Sequence, residues 1–454
     1  MRNSIPDLIS STRRKVVVGL GPTGLSVARH LYRRGEEFAV FDTRTEPPAL
    51  ATLKAEMPEV SVLLGEGSLA VLDTAGELIV SPGISPAEPW LQPALDAGAR
   101  LSGDADLFVA VATAPVVGIT GSNAKSTVTE ILGAMVRAAG RKVGVGGNLG
   151  TPMLDLLDDS NELYVIELSS FQLERAGKLN LAVATVLNLS ADHLDRHGSM
   201  QQYHRAKHRI FDGCDCAVVH SDDPLTIPPQ LDGRRQISWR LREPELHGFG
   251  IRRDDSGREM LCSGFDELLA VDELSLPGRH NVANALAALA LGTALDLPRE
   301  VMLQVLRTFP GLPHRCEPVP ASAVGFWIND SKATNVGAAM AAISGLGEAS
   351  RLILIAGGRD KGADFRPLRA AVAKHCDEVL LIGEAAQDLA AVLKDACKVT
   401  IAETLEVAVA QAAERVSPSQ TVLFSPACAS FDQFNNFGER GDAFRQLAGA
   451  EVTS

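Results

Sequence analysis

The most constraining feature of this 454-residue chain is a short β-branched run, Lys15-Val-Val-Val, that meets Gly19 and passes directly into a helical pattern. Apolar strand and amphipathic helix then alternate almost to the end. A strand that is apolar throughout must be covered on both faces, and intervening helices supply that cover. The alternation therefore predicts βαβ units and parallel sheets, an α/β chain. At roughly 150 residues per domain the length allows about three domains. Punctuation divides the chain into 1–103, 104–311 and 312–454. Strands are expected near 15–18, 38–41 and 77–80 in the first segment. The second carries Pro115–Thr120, Leu163–Leu168, Leu181–Leu187 and Cys216–His220, a polar, strand-like stretch over 235–276, and an Ala/Leu helix from near Asn281. The third segment opens after the Gly/Pro pair at Gly311-Leu-Pro. It carries Phe326–Asn329, Arg351–Ile355, Glu378–Ile382, Lys398–Ile401 and Thr421–Phe424.

Charge narrows the function classes. With 43 Lys plus Arg against 56 Asp plus Glu the formal charge is −13, which repels a polyanion unless a basic face is segregated, and no basic block is visible. No nucleic-acid partner is expected. The longest apolar stretches, around Val109–Thr120 and Ala285–Leu297, are too short and too interrupted to cross a bilayer. The opening Met1-Arg-Asn-Ser-Ile-Pro lacks the apolar core of a signal peptide, so a cytoplasmic location is expected. Seven scattered Cys with no CxxC pair fit a reducing compartment and argue against a disulfide framework or structural zinc.

Six places could carry chemistry. Gly19-Leu-Gly-Pro-Thr-Gly24 is a GxGxxG between strand and helix, with Asp42 at the end of the next strand. Glycines let backbone N–H groups approach a diphosphate, and the acid can accept from a ribose hydroxyl. Dinucleotide and other diphosphates stay open, as does a plain tight turn. The second is Gly121-Ser122-Asn123-Ala124-Lys125-Ser126-Thr127 after Val116-Val-Gly-Ile-Thr. It offers N–H donors, a cation for β/γ-phosphates and hydroxyls for Mg²⁺, although it is shorter than the standard P-loop and has Ala124 where Gly usually precedes the Lys. Ala adds only a methyl, so phosphate binding should survive provided position 124 needs no positive φ. Third, Glu167 ends a buried strand where a parallel sheet places its ligands. Fourth, Asp192-His193-Leu-Asp195-Arg196-His197 offers hard oxygens and an imidazole within one turn, or a capped helix start. Fifth, Asp330-Ser-Lys332-Ala-Thr334-Asn335, Gly357-Gly-Arg-Asp-Lys361-Gly-Ala-Asp364 and Ser425-Pro-Ala-Cys-Ala-Ser430-Phe431 through Phe437 end three strands of the last segment and together suggest an anion site. His280-Asn281-Val-Ala-Asn284 puts two amides on one helix face, to read a purine or to cap the helix.

Taken in order, these motifs resemble the Mur ligase family. The shared stretches are Gly-Leu-Gly-Pro-Thr-Gly-Leu-Ser, Phe-Asp-Thr-Arg, Ser-Pro-Gly-Ile, Gly-Ser-Asn-Ala-Lys-Ser-Thr, Gly-Gly-Asn-Leu-Gly, Glu-Leu-Ser-Ser-Phe-Gln-Leu-Glu, Asp-His-Leu-Asp-Arg, His-Asn-Val-Ala-Asn, Leu-Pro-His-Arg, Asn-Asp-Ser-Lys-Ala-Thr-Asn and Ser-Pro-Ala-Cys-Ala-Ser-Phe-Asp-Gln-Phe. The Glu-Leu-Ser-Ser and Ser-Pro-Ala-Cys stretches resemble its glutamate-adding branch. The resemblance implies a Rossmann-like N-terminal domain, a central P-loop-type ATPase α/β domain and a Rossmann-like C-terminal domain. It implies a monomeric, ATP-dependent amide ligase joining D-glutamate to UDP-N-acetylmuramoyl-L-alanine in peptidoglycan precursor synthesis, and so in cell-wall biogenesis, cell shape and division.

By that resemblance Thr23, Asp42, Thr43, Arg44, Gly83 and Asn148 meet the UDP-linked substrate. Gly121 to Thr127, Asn281, Asn284, Arg315 and Asp330 meet ATP. Ser126, Thr127 and Glu167 hold one Mg²⁺, and His193 with Lys207, carried as a carbamate, a second. Lys332, Thr334, Lys361, Ser430 and Phe437 meet glutamate. By the same resemblance Lys125, Glu167, His193 and Lys207 form the catalytic set. The form Gly-Gly-Arg-Asp-Lys361 departs from the Gly-Gly-Asp-Gly-Lys of some members. An L-glutamate- or folate-directed ligase is the alternative within the superfamily, and an NAD-dependent dehydrogenase the alternative from another class.

Overall fold

The computed structural model describes residues 14–148, 150–228, 233–360 and 362–449. Three sheets follow one another along the chain. The first has five parallel strands in the order Ser61–Leu64, Phe38–Asp42, Arg14–Val18, Ala75–Val80, Arg100–Ser102, the doubly wound order expected of a Rossmann-like half. The helix Pro22–Arg33 opens on Pro at its first turn, where the missing N–H costs nothing, and it buries Leu25, Val27, Ala28 and Leu31.

The middle sheet has nine strands. Val143–Gly147, Leu163–Glu167, Val116–Thr120, Val183–Val186, Cys216–His220, Arg235–Trp239 and Phe249–Arg253 run parallel in that spatial order, and Glu259–Ser263 and Asp266–Ala270 extend it antiparallel. The helix Lys125–Ala138 packs on the helix Arg279–Ala294, which is buried along most of its length. The continuous run Ala285 to Leu291 suits that central position, because such a helix has no solvated face.

The third sheet runs Glu317–Pro318, Phe326–Asn329, Thr421–Phe424, Leu352–Gly357, Cys376–Ile382, Lys398–Glu403, parallel except for its first, two-residue strand. Its central strands are buried throughout apart from Asp377. The expected strands are present within a few residues of their ends. Four others lie outside the sequence expectation, Ser61–Leu64, Arg100–Ser102, Val143–Gly147 and the two-residue Glu317–Pro318. Among the described residues no helix is long and apolar enough to cross a membrane, and all seven cysteines are free thiols.

Candidate active site

The strand Val116–Thr120 lies inside the middle sheet, between Leu163–Glu167 and Val183–Val186, so the loop that follows it emerges between two other strand ends. The neighbours shape it. Asn188, just past the strand Val183–Val186, accepts from the Asn123 amide at 2.8 Å and donates to the Asn123 carbonyl at 3.1 Å. The Ser122 hydroxyl meets the Ser190 carbonyl at 2.9 Å and the Tyr203 hydroxyl at 3.0 Å. Ala124 adopts φ +66°, the left-handed region, immediately before the helix. The proviso attached to that residue therefore fails. An L-residue there costs about 1–2 kcal/mol that glycine would not, although the backbone still takes the turn.

Lys125 Nζ curls over the loop, donating to the carbonyls of Gly121 at 2.9 Å and Ser122 at 3.0 Å. Beside it Glu167 is buried at its strand end. Oε1 accepts from the Asn148 amide at 2.7 Å, whereas among the described residues Oε2 is buried without a hydrogen-bond partner. Burial alone would raise this carboxyl, but the Lys125 charge, the Asn148 amide, the Ser126 hydroxyl and the Arg315 charge outweigh it and hold it below the usual range. The site thus keeps an ionised carboxylate with one unused oxygen near the Ser126 hydroxyl, with Thr127 following in the same helical turn. That donor set fits a hard divalent cation.

Lys207 is a second buried cation in the same place. Its Nζ donates to the Gly121 carbonyl at 2.9 Å and approaches the Thr120 hydroxyl at 3.3 Å, with the Tyr203 ring 4.8 Å away. Burial, helped by the Lys125 charge, drives this amine far below its ordinary value, with Asp192 and Glu167 opposing that effect. The Asp192 to His197 cluster does not converge on one ion. His193 packs on Phe171 with Asp192 3.7 Å from its ring nitrogen, while Arg196 turns to Glu174 and His197 to Ser170. Among the described residues no three His, Cys, Asp or Glu side chains gather as a ready metal cage.

The third segment reaches into this loop. Arg315 Nη2 donates to Ser126 Oγ at 2.9 Å, and the Asn335 amide donates to Asn123 Oδ1 and Asp192 Oδ2, each at 3.2 Å, while its carbonyl oxygen caps the helix Val336–Gly347. Asp330 lies behind Arg315, accepting from Ser425 Oγ at 2.8 Å and the Cys316 amide at 3.2 Å. Burial pushes its carboxyl up to about 6 against those partners.

The sequence matches the family description "Mur ligase middle domain" over residues 119–292, "Mur ligase MurD-like, N-terminal domain" over 13–103 and "Mur ligase, glutamate ligase domain" over 314–428. Proteins named UDP-N-acetylmuramoylalanine--D-glutamate ligase are 52% identical in Pseudomonas syringae pv. tomato, over 97% of this chain and 98% of that one. Those of Pseudomonas aeruginosa and Marinobacter nauticus are 52% and 49% identical, over 96% and 97% of this chain and 98% and 99% of theirs. The chain belongs to the Mur ligase family. Two solved structures share its fold. UDP-N-acetylmuramate-alanine ligase MurC from Thermotoga maritima matches at TM-score 0.61 and 18% identity, covering 95% of this chain and 98% of that one. A pseudomurein peptide ligase type C from Methanothermus fervidus matches at 0.60 and 20%, covering 96% and 99%.

In this Mur ligase the N-terminal candidates gather around the Gly19–Gly24 loop. Asp42 is not an open acceptor. Oδ2 takes the Leu20 amide and an Arg44 nitrogen, each at 2.7 Å, and Oδ1 takes the Arg44 amide and Nε, each at 2.9 Å. Burial would raise this carboxyl; the Arg44 guanidinium and the two amides hold it low. Its four lone-pair sites are thus spent on shaping the loop and aiming Arg44. Thr23 stands in the first helical turn, Thr43 is half-buried, and a Cβ built on exposed Gly83 would meet open space. Asn148, expected at the substrate, donates to Glu167 Oε1.

Asn281 and Asn284 bond each other at 3.0 Å, and Asn281 also donates to the Pro277 carbonyl. Lys332 Nζ sits 3.6 Å above the Phe437 ring, with Thr334 following and Ser430 buried nearby in the fold. Lys361 lies outside the described residues. Sequence reasoning missed Arg440. It is buried, lowered to about 10 by that burial, and it donates to Ser331 and to the carbonyls of Ala429 and Cys428, tying two of the three strand-end islands together. Nothing in a solitary helical Arg signals this.

Proposed function

We propose that this Mur ligase is the ATP-dependent enzyme that joins D-glutamate to UDP-N-acetylmuramoyl-L-alanine in the cytoplasm, working as a monomer of three domains, 1–103, 104–311 and 312–454. The observation that carries the reading is the phosphate loop itself. Lys125 and Ser126 lie beside a buried ionised Glu167 with an unused oxygen, and Arg315 reaches in from the next domain. The relatives' shared name supports the substrate pair.

A carboxylate resists attack by an amine. The alanyl carboxylate therefore first takes the γ-phosphoryl group of ATP, releasing ADP and becoming an acyl phosphate. The uncharged glutamate amine then attacks its carbonyl carbon, and phosphate leaves with the bonding electrons as the amine proton is lost. Lys125 and Arg315 offset phosphate charge during the transfer, where preorganised positive groups matter most. Ser126, Thr127 and Glu167 would hold one Mg²⁺, and His193 with Lys207 a second; two such ions supply further charge neutralisation. Burial that disfavours the charged form of Lys207 favours capture of CO₂ as a carbamate, which exchanges an amine for an oxygen ligand. Asn281, Asn284 and Asp330 would bind the nucleoside. Lys332, Thr334, Lys361, Ser430 and Phe437 would hold glutamate, and Thr23, Thr43, Arg44 and Gly83 the uridine diphosphate, with Asp42 orienting Arg44.

The test is phosphate release with UDP-N-acetylmuramoyl-L-alanine and ATP across D-Glu, L-Glu, D-Asp and meso-diaminopimelate. Release dependent on D-Glu alone supports the reading. Equal release with L-Glu, or none with any amino acid, sinks it.

A further inference from the structure

The strand Leu163–Glu167 continues into the short helix Ser170–Leu173, and just beyond it Arg175 drives its side chain into the boundary with the first sheet. On its own side Nε donates to the Phe171 carbonyl at 3.0 Å. Across the boundary Nη1 donates to the carbonyls of Val80 and Ser81, each at 2.7 Å, and Nη2 to those of Pro82 at 3.1 Å and Ile84 at 2.8 Å. A guanidinium has five N–H donors in one plane, and here each finds a carbonyl. Four of the five belong to a single loop of the other domain.

That loop is the one carrying Gly83. Its Ser81 hydroxyl donates to the Gly19 carbonyl at 2.8 Å, so a line of hydrogen bonds runs from the GxGxxG turn through residues 80–84 and Arg175 to the segment leaving Glu167. Arg196 adds a second bond to the Ile84 carbonyl at 2.9 Å. Burial pulls the Arg175 guanidinium down to about 10, with Glu174 and Asp104 opposing that effect and Arg196 adding to it. A buried cation whose main partners are neutral carbonyls stabilises a fold poorly compared with apolar packing. What it does well is fix geometry, because a planar fork meets four carbonyls in only one arrangement.

We propose that Arg175 is a positioning residue for the ligation: it locks the Val80–Ile84 loop, and the UDP-linked substrate with it, at a set distance from Lys125 and Glu167. This rests on the assignment of the Gly83 loop to that substrate. The uridine diphosphate and the reacting alanyl carboxylate lie at opposite ends of one molecule, so a slip between the two domains displaces the carboxylate from the γ-phosphate. A misplacement of about 1 Å can cost on the order of 100-fold in rate.

The experiment compares Arg175→Lys and Arg175→Met with Arg351→Met, which removes a guanidinium that ties carbonyls within the third domain. For each, kcat of phosphate release, the three KM values, UDP-N-acetylmuramoyl-L-alanine binding and small-angle X-ray scattering are measured below the melting temperature. Both Arg175 variants are expected to lose roughly 10- to 100-fold in kcat, with KM for ATP and D-Glu within about threefold and UDP-substrate binding weakened less than tenfold. Arg351→Met should lower only the melting temperature. Wild-type kcat in Arg175→Lys would mean that charge, and not the fork, is what the site needs, and would overturn the proposal. If the wild-type protein itself released no phosphate with these substrates, the functional reading would fall. Scattering then decides the positioning role separately, a wider particle for both Arg175 variants supporting it and an unchanged one overturning it.

Discussion

Two strand–loop–helix turns in this protein solve the same problem in different ways. The loop at Gly19–Gly24 is completed almost entirely inside its own domain: Gly24 packs so closely that a Cβ there would lie 1.9 Å from the Gly19 carbonyl oxygen, and Asp42 closes the turn from the next strand. The loop at Gly121–Thr127 uses a left-handed Ala where glycine would be relaxed, and it draws Arg315 and Asn335 from a different domain. The first is a rigid holder. The second has its charge balance supplied in part from outside, which suits a site that must form only when the domains meet and water is shut out.

The sharpest way to break this contrast is Lys125→Ala. Phosphate release should fall by on the order of 1,000-fold or more while UDP-substrate binding, measured by titration, stays within about threefold. A variant still ligating near the wild-type rate would show that the second loop is not the ATP site. Next comes Gly24→Ala, expected to destabilise the N-terminal domain by about 3 kcal/mol or more and to raise KM for the UDP-linked substrate, because the new methyl meets backbone. An unchanged melting curve would mean that the first loop is softer than its packing indicates.

A smaller effect concerns pH. Asp330 titrates at about 6 in the folded protein against 3.8 for a free side chain, so the native state holds its proton more tightly. Stability should fall as pH rises from about 4 through about 6 and level off above. If ionised Asp330 accepts from the nucleoside, KM for ATP should drop severalfold between about pH 5 and pH 7. Asp330→Asn should lose both trends; a variant that keeps them points to another group. The smallest expected effect is Ala124→Gly, a gain of about 1 kcal/mol in thermal unfolding with kcat within about twofold. A loss of stability would mean that the extra freedom of the unfolded glycine chain outweighs the relieved strain.

Much of the fold was legible because buried parallel strands are apolar without interruption, and the loops after them carry glycine and hydroxyl residues. The strands that the sequence does not reveal, Ser61–Leu64, Arg100–Ser102, Val143–Gly147 and Glu317–Pro318, are all sheet edges. An edge strand is half-exposed and short: Ser61–Leu64 has only three apolar residues in a row, Arg100–Ser102 and Glu317–Pro318 are three and two residues long, and Val143–Gly147 contains three glycines. In the site, Lys125, Ser126 and Glu167 could be read from spacing because each stands at a strand end or helix start. Asn188, Arg175 and Arg440 could not. Their partners are backbone carbonyls or amides of distant loops, and a backbone group leaves no mark in the sequence.

The chain alone thus determined three largely parallel sheets, the two small-residue loops that lead from strand to helix and the chemical types gathered at their ends, since periodicity and local turn chemistry are written in consecutive residues. Only the tertiary structure decided that Ala124 is left-handed, that Asp42 is fully engaged, that Lys207 is stripped of water, and that Arg315 crosses to Ser126. Those outcomes depend on burial and on which distant groups become neighbours: the first three are settled as each domain folds, and the last when the middle and C-terminal domains pack against one another.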